Sequence, residues 1–235
     1  MRAMILAAGR GERMRPLSDH TPKPLLQVRG RRLIEWHLLA LAAGGVREVL
    51  INCAWLEEQF PATLGDGSAY GLSLHYSLER RDHGGALETA GGIAKALPWL
   101  CERGDEAFWV ISGDVFMPEF RCDPAAARAF ADSTRLAHLW MTHNPPHKPG
   151  GDFGIGPDGL AISDAQPDAL PGPRYTWTCA GLFRRALFAD VPVGTARPLR
   201  PQLELGIAQR AISAELFTGL WRDVGTPQRL AELNA

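Results

Sequence analysis

Three stretches of the 235-residue chain carry the residue types and spacing that could do chemistry. The first is Leu6-Ala7-Ala8-Gly9-Arg10-Gly11-Glu12-Arg13-Met14, followed by Lys23 between Pro22 and Pro24. Residues 2–8 are apolar after Arg2 and run into Gly9, the pattern of a strand buried on both faces. A glycine-rich turn leaving such a strand exposes backbone N–H groups that can cradle phosphates. Ligands of open α/β sheets bind at that edge. Lys23 is one of three lysines beside 22 arginines. Its two flanking prolines lower the entropy cost of aiming it, which suits a point-charge clamp on a phosphate. The other two stretches each offer a single carboxylate: Asp114, after the apolar segment 107–112 and Gly113, and Asp223, after Leu220-Trp221-Arg222. A carboxylate just past a strand and next to glycine suits Mg²⁺, which takes one or two protein carboxylates plus phosphate oxygens and water. Either aspartate alone reads as a helix cap or turn residue. Together with a phosphate loop they read as a site.

The elements that must position these residues are legible in outline. Beyond the first strand, residues 33–41 pattern as an amphipathic helix stopped by Gly44-Gly45, and 47–52 as a second strand. Residues 55–64 pattern as a second helix, 72–77 as a third strand, and 107–112 as another buried strand. This alternation predicts an α/β fold, a three-layer α/β/α sandwich with a mostly parallel mixed central sheet. Residues 143–175 are rich in Pro and Gly and predict long loops with short antiparallel strands. Then come a strand at 177–183, a helix at 201–211, a short strand at 220–224 and a helix from Pro227. One domain spans 1–235, with a nucleotide-binding half of about 1–142 and a substrate lobe of about 143–235.

Composition removes several classes. The formal net charge of −1 lacks the electrostatic footprint of a nucleic-acid binder. No apolar run approaches the roughly 20 residues that span a bilayer, and the N-terminus lacks a signal-peptide pattern. Cys53, Cys101, Cys122 and Cys179 lie 48, 21 and 57 residues apart, which is no zinc spacing. They read as buried thiols of a cytoplasmic protein. Met14 stands where a dinucleotide fingerprint needs its third glycine, which disfavours an NAD-dependent oxidoreductase, and the Gly-Lys-Ser/Thr of a Walker A loop is absent. His143 and His147 flank Pro145-Pro146, so their spacing is not helical and makes a poor metal site.

The motifs Leu6 to Met14, Pro22-Lys23-Pro24-Leu25, Gly113-Asp114-Val115 and Trp221-Arg222-Asp223-Val224-Gly225-Thr226 resemble, in order, those of the sugar-1-phosphate nucleotidyltransferases. The likeness spans nearly the whole chain. It takes in residues 30–43, 52–56, 64–68, 71–73, 87–93 and 95–98, Asn144-Pro145 and Gly151-Asp152-Phe153. It implies a Rossmann-like, nucleotide-diphospho-sugar transferase fold, with UTP and a sugar 1-phosphate as small-molecule substrates and Mg²⁺ as cofactor. It also implies a monomer or weak homodimer. By this resemblance Ala7, Ala8, Gly9, Gly11, Glu12 and Arg13 hold the nucleotide phosphates with Lys23. Glu88 and Thr89 lie in a loop against the base, and Asp114 and Asp223 are the metal ligands. Arg13, Lys23 and Asp114 are catalytic, and Asn144, Asp152, Gly181 and Arg197 contact the sugar phosphate substrate. The chain departs from the family in lacking a Glu-Lys-Pro segment whose lysine meets the sugar phosphate. Arg197, Lys148 and Arg174 are the candidates for that charge. The alternatives are mannose or heptose 1-phosphate with GTP, or phosphocholine with CTP, whose cation Trp177 and Trp221 would suit. A nucleotide-sensing domain without turnover is the reading from a different class.

Overall fold

The computed structural model describes residues 1–164 and 172–235. The part of the expected Pro/Gly-rich loop that falls on 165–171, including Pro171, lies outside the described residues.

Strand β1 (Ala3–Ala7) is apolar throughout, and its side chains alternate between two cores: Ala3, Ile5 and Ala7 enter one, Met4 the other. A small hairpin of β2 (Gln27–Val28) and β3 (Arg31–Arg32) leads into helix α1 (Leu33–Ala43). That helix starts where the Glu35 carboxylate accepts the Arg32 N–H at 2.8 Å, the backbone half of a capping box. Next come β4 (Glu48–Cys53), α2 (Gln59–Leu64), β5 (Ser73–Leu78), α3 (Glu79–His83) and α4 (Glu88–Leu100). Helix α2 begins later than the pattern at 55–64 predicts, because Leu56 has a φ of 47°, a left-handed conformation no α-helix accommodates. Strands β6 (Ala107–Ser112) and β7 (Val115–Phe116), helix α5 (Pro124–Asp132) and strand β8 (Ala137–Thr142) complete the first half.

In the second half the expected short antiparallel strands are β9 (Phe153–Ile155) and β10 (Ala161–Ile162), followed by the long β11 (Arg174–Arg184). Helix α6 (Arg200–Ala208) stops short of Ala211 because Arg210 takes a φ of 53°. The chain turns there into β12 (Ile212–Leu216), a strand the sequence pattern did not single out. Strand β13 (Arg222–Asp223) and helix α7 (Pro227–Asn234) close the chain, α7 capped by Thr226, whose hydroxyl accepts the Arg229 N–H at 3.3 Å.

The central sheet runs β10-β9-β11-β6-β1-β4-β5, with β8 also on β11 and β12 parallel on β8. Its β6-β1-β4-β5 half is parallel, and β11 enters antiparallel to β6. Helices cover both faces. Trp109, Ile51 and Leu38 represent one core; Val110, Ile93 and Ile207 represent the other. Strands β7 and β13 pair outside this sheet, over a third, smaller cluster of Met14, Phe116, Val224 and Leu230. No described helix is long and apolar enough to cross a membrane.

Candidate active site

Beyond the end of β1 the backbone turns at Gly11, whose φ is +62°. A Cβ there would stand 3.3 Å from Cβ of Lys23, so glycine lets the loop and the lysine segment touch. The Ser18 hydroxyl donates to the Gly11 carbonyl at 2.8 Å and fixes the far side of the turn. Ala7, Ala8, Gly9, Gly11, Glu12 and Arg13 line one cleft of about 990 Å³ with Lys23, Asp114, Glu88 and Thr89. Ala7 gives its own N–H to Asn52 Oδ1 at 3.0 Å, so that amide supports the loop from behind.

The two aspartates, 109 positions apart in sequence, meet through the β7–β13 ladder, which sets Asp223 opposite Val115 and so beside Asp114. Lys23 lies between them, only 6% exposed, with Nζ 2.8 Å from Asp114 Oδ2 and 3.6 Å from Asp223 Oδ1. The Ser112 hydroxyl donates to Asp114 Oδ1 at 2.8 Å. Burial works to raise the Asp114 carboxyl, but the Lys23 ammonium and the Ser112 hydroxyl outweigh it and hold the group below the usual carboxylate range. Asp223 accepts from Arg229 Nη1 at 2.9 Å and lies 3.5 Å from His147 Nε2. Burial and the Arg229 charge push the His147 imidazole down, against the pull of Asp223. Behind Asp114, His37 is wholly buried and its Nε2–H donates to the Val115 carbonyl at 2.8 Å. Burial pushes its pKa down to about 4, so it is neutral at pH 7.

Glu88 and Thr89 open helix α4 rather than lying in a loop, and Glu88 enters it with a φ of 56°. A non-glycine residue in that region is strained, and such strain concentrates at sites.

On the opposite wall, the residues singled out for the sugar phosphate do not face the cleft. Asn144 pins a loop to β11: its Nδ2 donates to the Pro149 and Arg174 carbonyls at 2.9 and 3.0 Å, and its Oδ1 accepts from Thr176. It borders a second cavity of about 1060 Å³, which Asp223 and His147 also line. Asp152 accepts Lys148 Nζ at 2.6 Å and the Trp177 N–H at 3.0 Å. Gly181 is internal to β11, where a Cβ would stand 2.9 Å from the His138 carbonyl. Arg197 is exposed and joins the α4 N-terminus through its backbone, its carbonyl accepting the Ala90 N–H at 2.9 Å. Lys148 is committed to Asp152, and Arg174 to Asp164 and the Asp152 carbonyl.

The cation that does line the cleft on this side is Arg200, together with Trp177, Pro198 and Leu199. Its guanidinium lies over the Phe153 ring, 5.3 Å from the centroid, and donates to Glu204 at 2.8 Å. One signal in the sequence could have found it. A cation in the first turn of a helix opposes the helix dipole, so Arg200 beside Pro201 stands out.

The nucleotidyl transferase family model matches residues 2–155. An N-acetylmuramate alpha-1-phosphate uridylyltransferase of Neisseria meningitidis serogroup B is 47% identical over 100% of this chain and 97% of its own length. A protein of the same name from Caulobacter vibrioides is 31% identical over 96% of this chain and 92% of its own. A mannose-1-phosphate guanylyltransferase of Mycobacterium tuberculosis is 38% identical over 96% of this chain, which spans 61% of that longer protein. A crystal structure from Bacillus anthracis, named for a glucose-1-phosphate thymidylyltransferase, superposes with a TM-score of 0.81 over 100% of this chain and 94% of its own, at 18% identity. That last likeness concerns the fold alone.

Proposed function

This chain belongs to the nucleotidyl transferase family, and from that premise we propose that it joins UTP and N-acetylmuramate 1-phosphate into UDP-N-acetylmuramate and pyrophosphate. The observation that carries the reaction type is Lys23, which lines the cleft with the glycine-rich loop and Asp114 and whose Nζ lies 3.6 Å from Asp223 Oδ1. The substrate pair rests on the two uridylyltransferases that match this chain over nearly their full lengths. N-acetylmuramate is a peptidoglycan sugar, so this reading assigns the chain to cell-wall sugar recycling.

A sugar 1-phosphate is already an anion at pH 7, with a second pKa of about 6 by analogy with other phosphomonoesters. It needs no general base. Its oxygen attacks the α-phosphorus of UTP in line, forming the new P–O bond as the bond to the β-phosphate oxygen breaks and pyrophosphate leaves. The protein positions the two phosphates and neutralises charge. The loop amides and Arg13 take the triphosphate, Lys23 moves from the carboxylates onto it, and Arg200 meets the incoming sugar phosphate. Asp114 and Asp223 would hold Mg²⁺. Among the described residues no three His, Cys, Asp or Glu side chains gather as a metal site, and two carboxylates completed by phosphate oxygens and water suit this ion. Bound there, the ion supplies Lewis-acid charge for the departing pyrophosphate.

Of the two tryptophans that would suit a choline cation, Trp221 is a core residue donating to the Thr178 carbonyl at 3.1 Å. The test is pyrophosphate release with and without Mg²⁺, over UTP, GTP, CTP and dTTP against N-acetylmuramate 1-phosphate, mannose 1-phosphate, heptose 1-phosphate and phosphocholine. Turnover of UTP with the muramate sugar alone is expected. Preference for another pair overturns the substrate, and silence throughout overturns the enzyme in favour of a nucleotide-sensing domain.

A further inference from the structure

The phosphate loop and the first turn of α4 lie on the same cleft but come from elements far apart in sequence. Asn52, at the end of β4, and Glu79, the first residue of α3, stand between them at 2% and 0% exposure. Asn52 Oδ1 accepts the Ala7 N–H at 3.0 Å, at the root of the loop. Asn52 Nδ2 donates to Glu79 Oε1 at 2.8 Å, and Glu79 Oε2 accepts the Leu87 N–H at 2.8 Å, one residue before Glu88. The three bonds form a continuous chain from the root of the glycine loop to the start of α4. Helix α4 is seated directly on it, since a Cβ on Gly92 would stand 2.7 Å from Glu79 Oε1 and 2.9 Å from Asn52 Nδ2. A glycine at that place is what lets the helix approach. Burial raises the Glu79 carboxyl, opposed by the Leu87 N–H, the Asn52 amide, Lys95 and His83. A buried acceptor pair so well satisfied is rigid, and removing one partner strands the other in a dry interior.

We propose that Asn52 and Glu79 are positioning residues: a buried bracket that sets the separation between the phosphate-reading loop and the opening turn of α4. The inference rests on the reading of the cleft as a nucleoside-triphosphate site. Asn52 lines the cleft at only 2% exposure and Glu79 does not line it, so the bracket acts without either residue touching the nucleotide. Their work is to keep both ends of one ligand in register, where a misplacement of about 1 Å can lower a rate by about a hundredfold.

The polarity of the bracket makes it testable by exchange. Asn52→Asp alone sets two carboxylates face to face. Glu79→Gln alone leaves an amide N–H against either Asn52 Nδ2 or the Leu87 N–H. In the double variant Asn52→Asp/Glu79→Gln every bond can reform, with Asp accepting from Ala7 and from Gln, and Gln accepting from Leu87. Each single variant is expected to raise the KM for UTP about tenfold or more, and the double to return it to within about threefold of the parent. Inhibition by uridine alone and by inorganic tripolyphosphate alone should stay within about twofold in all three, because each fragment engages one side of the bracket. A double variant no better than the singles overturns the proposal. So does a uridine affinity that falls in step with the UTP KM, which would make Glu79 a base contact. A parent enzyme that prefers another nucleoside triphosphate overturns the uridylyl reading instead, and the same exchange judged with that nucleotide decides the bracket.

Discussion

One wall of the cleft is made of backbone and the other of long side chains. The phosphate loop hangs from β1, whose neighbours β4 and β6 hold it by ladders that pair Leu6 with both Asn52 and Ser112. Its cation, Lys23, is buried. Across the cleft, Arg200 is half-exposed and aimed by Glu204, Asp152 and the Phe153 ring. Exposed ion pairs of this kind contribute about 0–1 kcal/mol each, so one substitution can re-aim the arginine. Substitutions cannot slide a buried parallel ladder by a fraction of a residue. Under the proposed reading, the nucleotide side is therefore built for invariance and the sugar side for adjustment.

That contrast breaks first at the carboxylates. Asp114→Asn should lower kcat by about a thousandfold or more while far-UV circular dichroism stays unchanged, since the side chain keeps its shape and loses its charge. Retained turnover in both Asp114→Asn and Asp223→Asn would remove the metal assignment. The next largest effect sharpens the other wall. Arg200→Ala should lower kcat/KM for the sugar 1-phosphate about a hundredfold with little change in the KM for UTP, whereas Arg197→Ala should stay within about threefold. The reverse ranking would return the sugar-phosphate contact to Arg197.

His37 lies buried behind Asp114 and donates to the Val115 carbonyl. Its folded pKa of about 4 lies below the ordinary value of 6.5, so the unfolded chain takes up a proton that the folded one refuses. Its contribution is complete above about pH 6.5 and is lost progressively as pH falls towards 4, by about 3 kcal/mol in all. Urea unfolding midpoints across that window should fall more steeply for the parent than for His37→Gln. The smallest effect is expected at Gly181→Ala, where the new methyl meets the His138 carbonyl. It should destabilise by about 1–3 kcal/mol, read as a lowered Tm, and leave the KM for UTP unchanged.

The same division governed what could be read from the sequence. Gly9, Gly11 and Lys23 are legible because their function is a backbone conformation or a position fixed by prolines, both written in neighbouring residues. Asp114 and Asp223 were legible as a pair only through motif order. The β7–β13 pairing that joins them spans two residues on each strand, far too little for any periodicity to show. Strand β12 escaped because it follows directly on the helix read at 201–211, with no glycine or proline at the turn that Arg210 makes. On the sugar side Asn144, Asp152, Gly181 and Arg197 occupy places where family patterns put substrate contacts, yet their side chains or backbones fasten one loop or strand to another. Some of the side-chain partners there are far apart in sequence, as with Asp152 and Arg200, 48 positions apart, and local spacing carries no record of such a meeting. Asn52 and Glu79 escaped notice for a related reason: nothing local marks a buried polar residue whose partners lie on other elements.

The two-residue strand β13 also has a meaning in time. A chain leaves the ribosome N-terminus first. The glycine loop, Lys23, the β5-β4-β1-β6 sheet and Asp114 are all made before Asp223 and the α7 arginine that steadies it. A nascent or prematurely ended chain can thus complete its parallel sheet and still lack the second carboxylate. On the proposed reading, reactivity waits for the later of the two carboxylates.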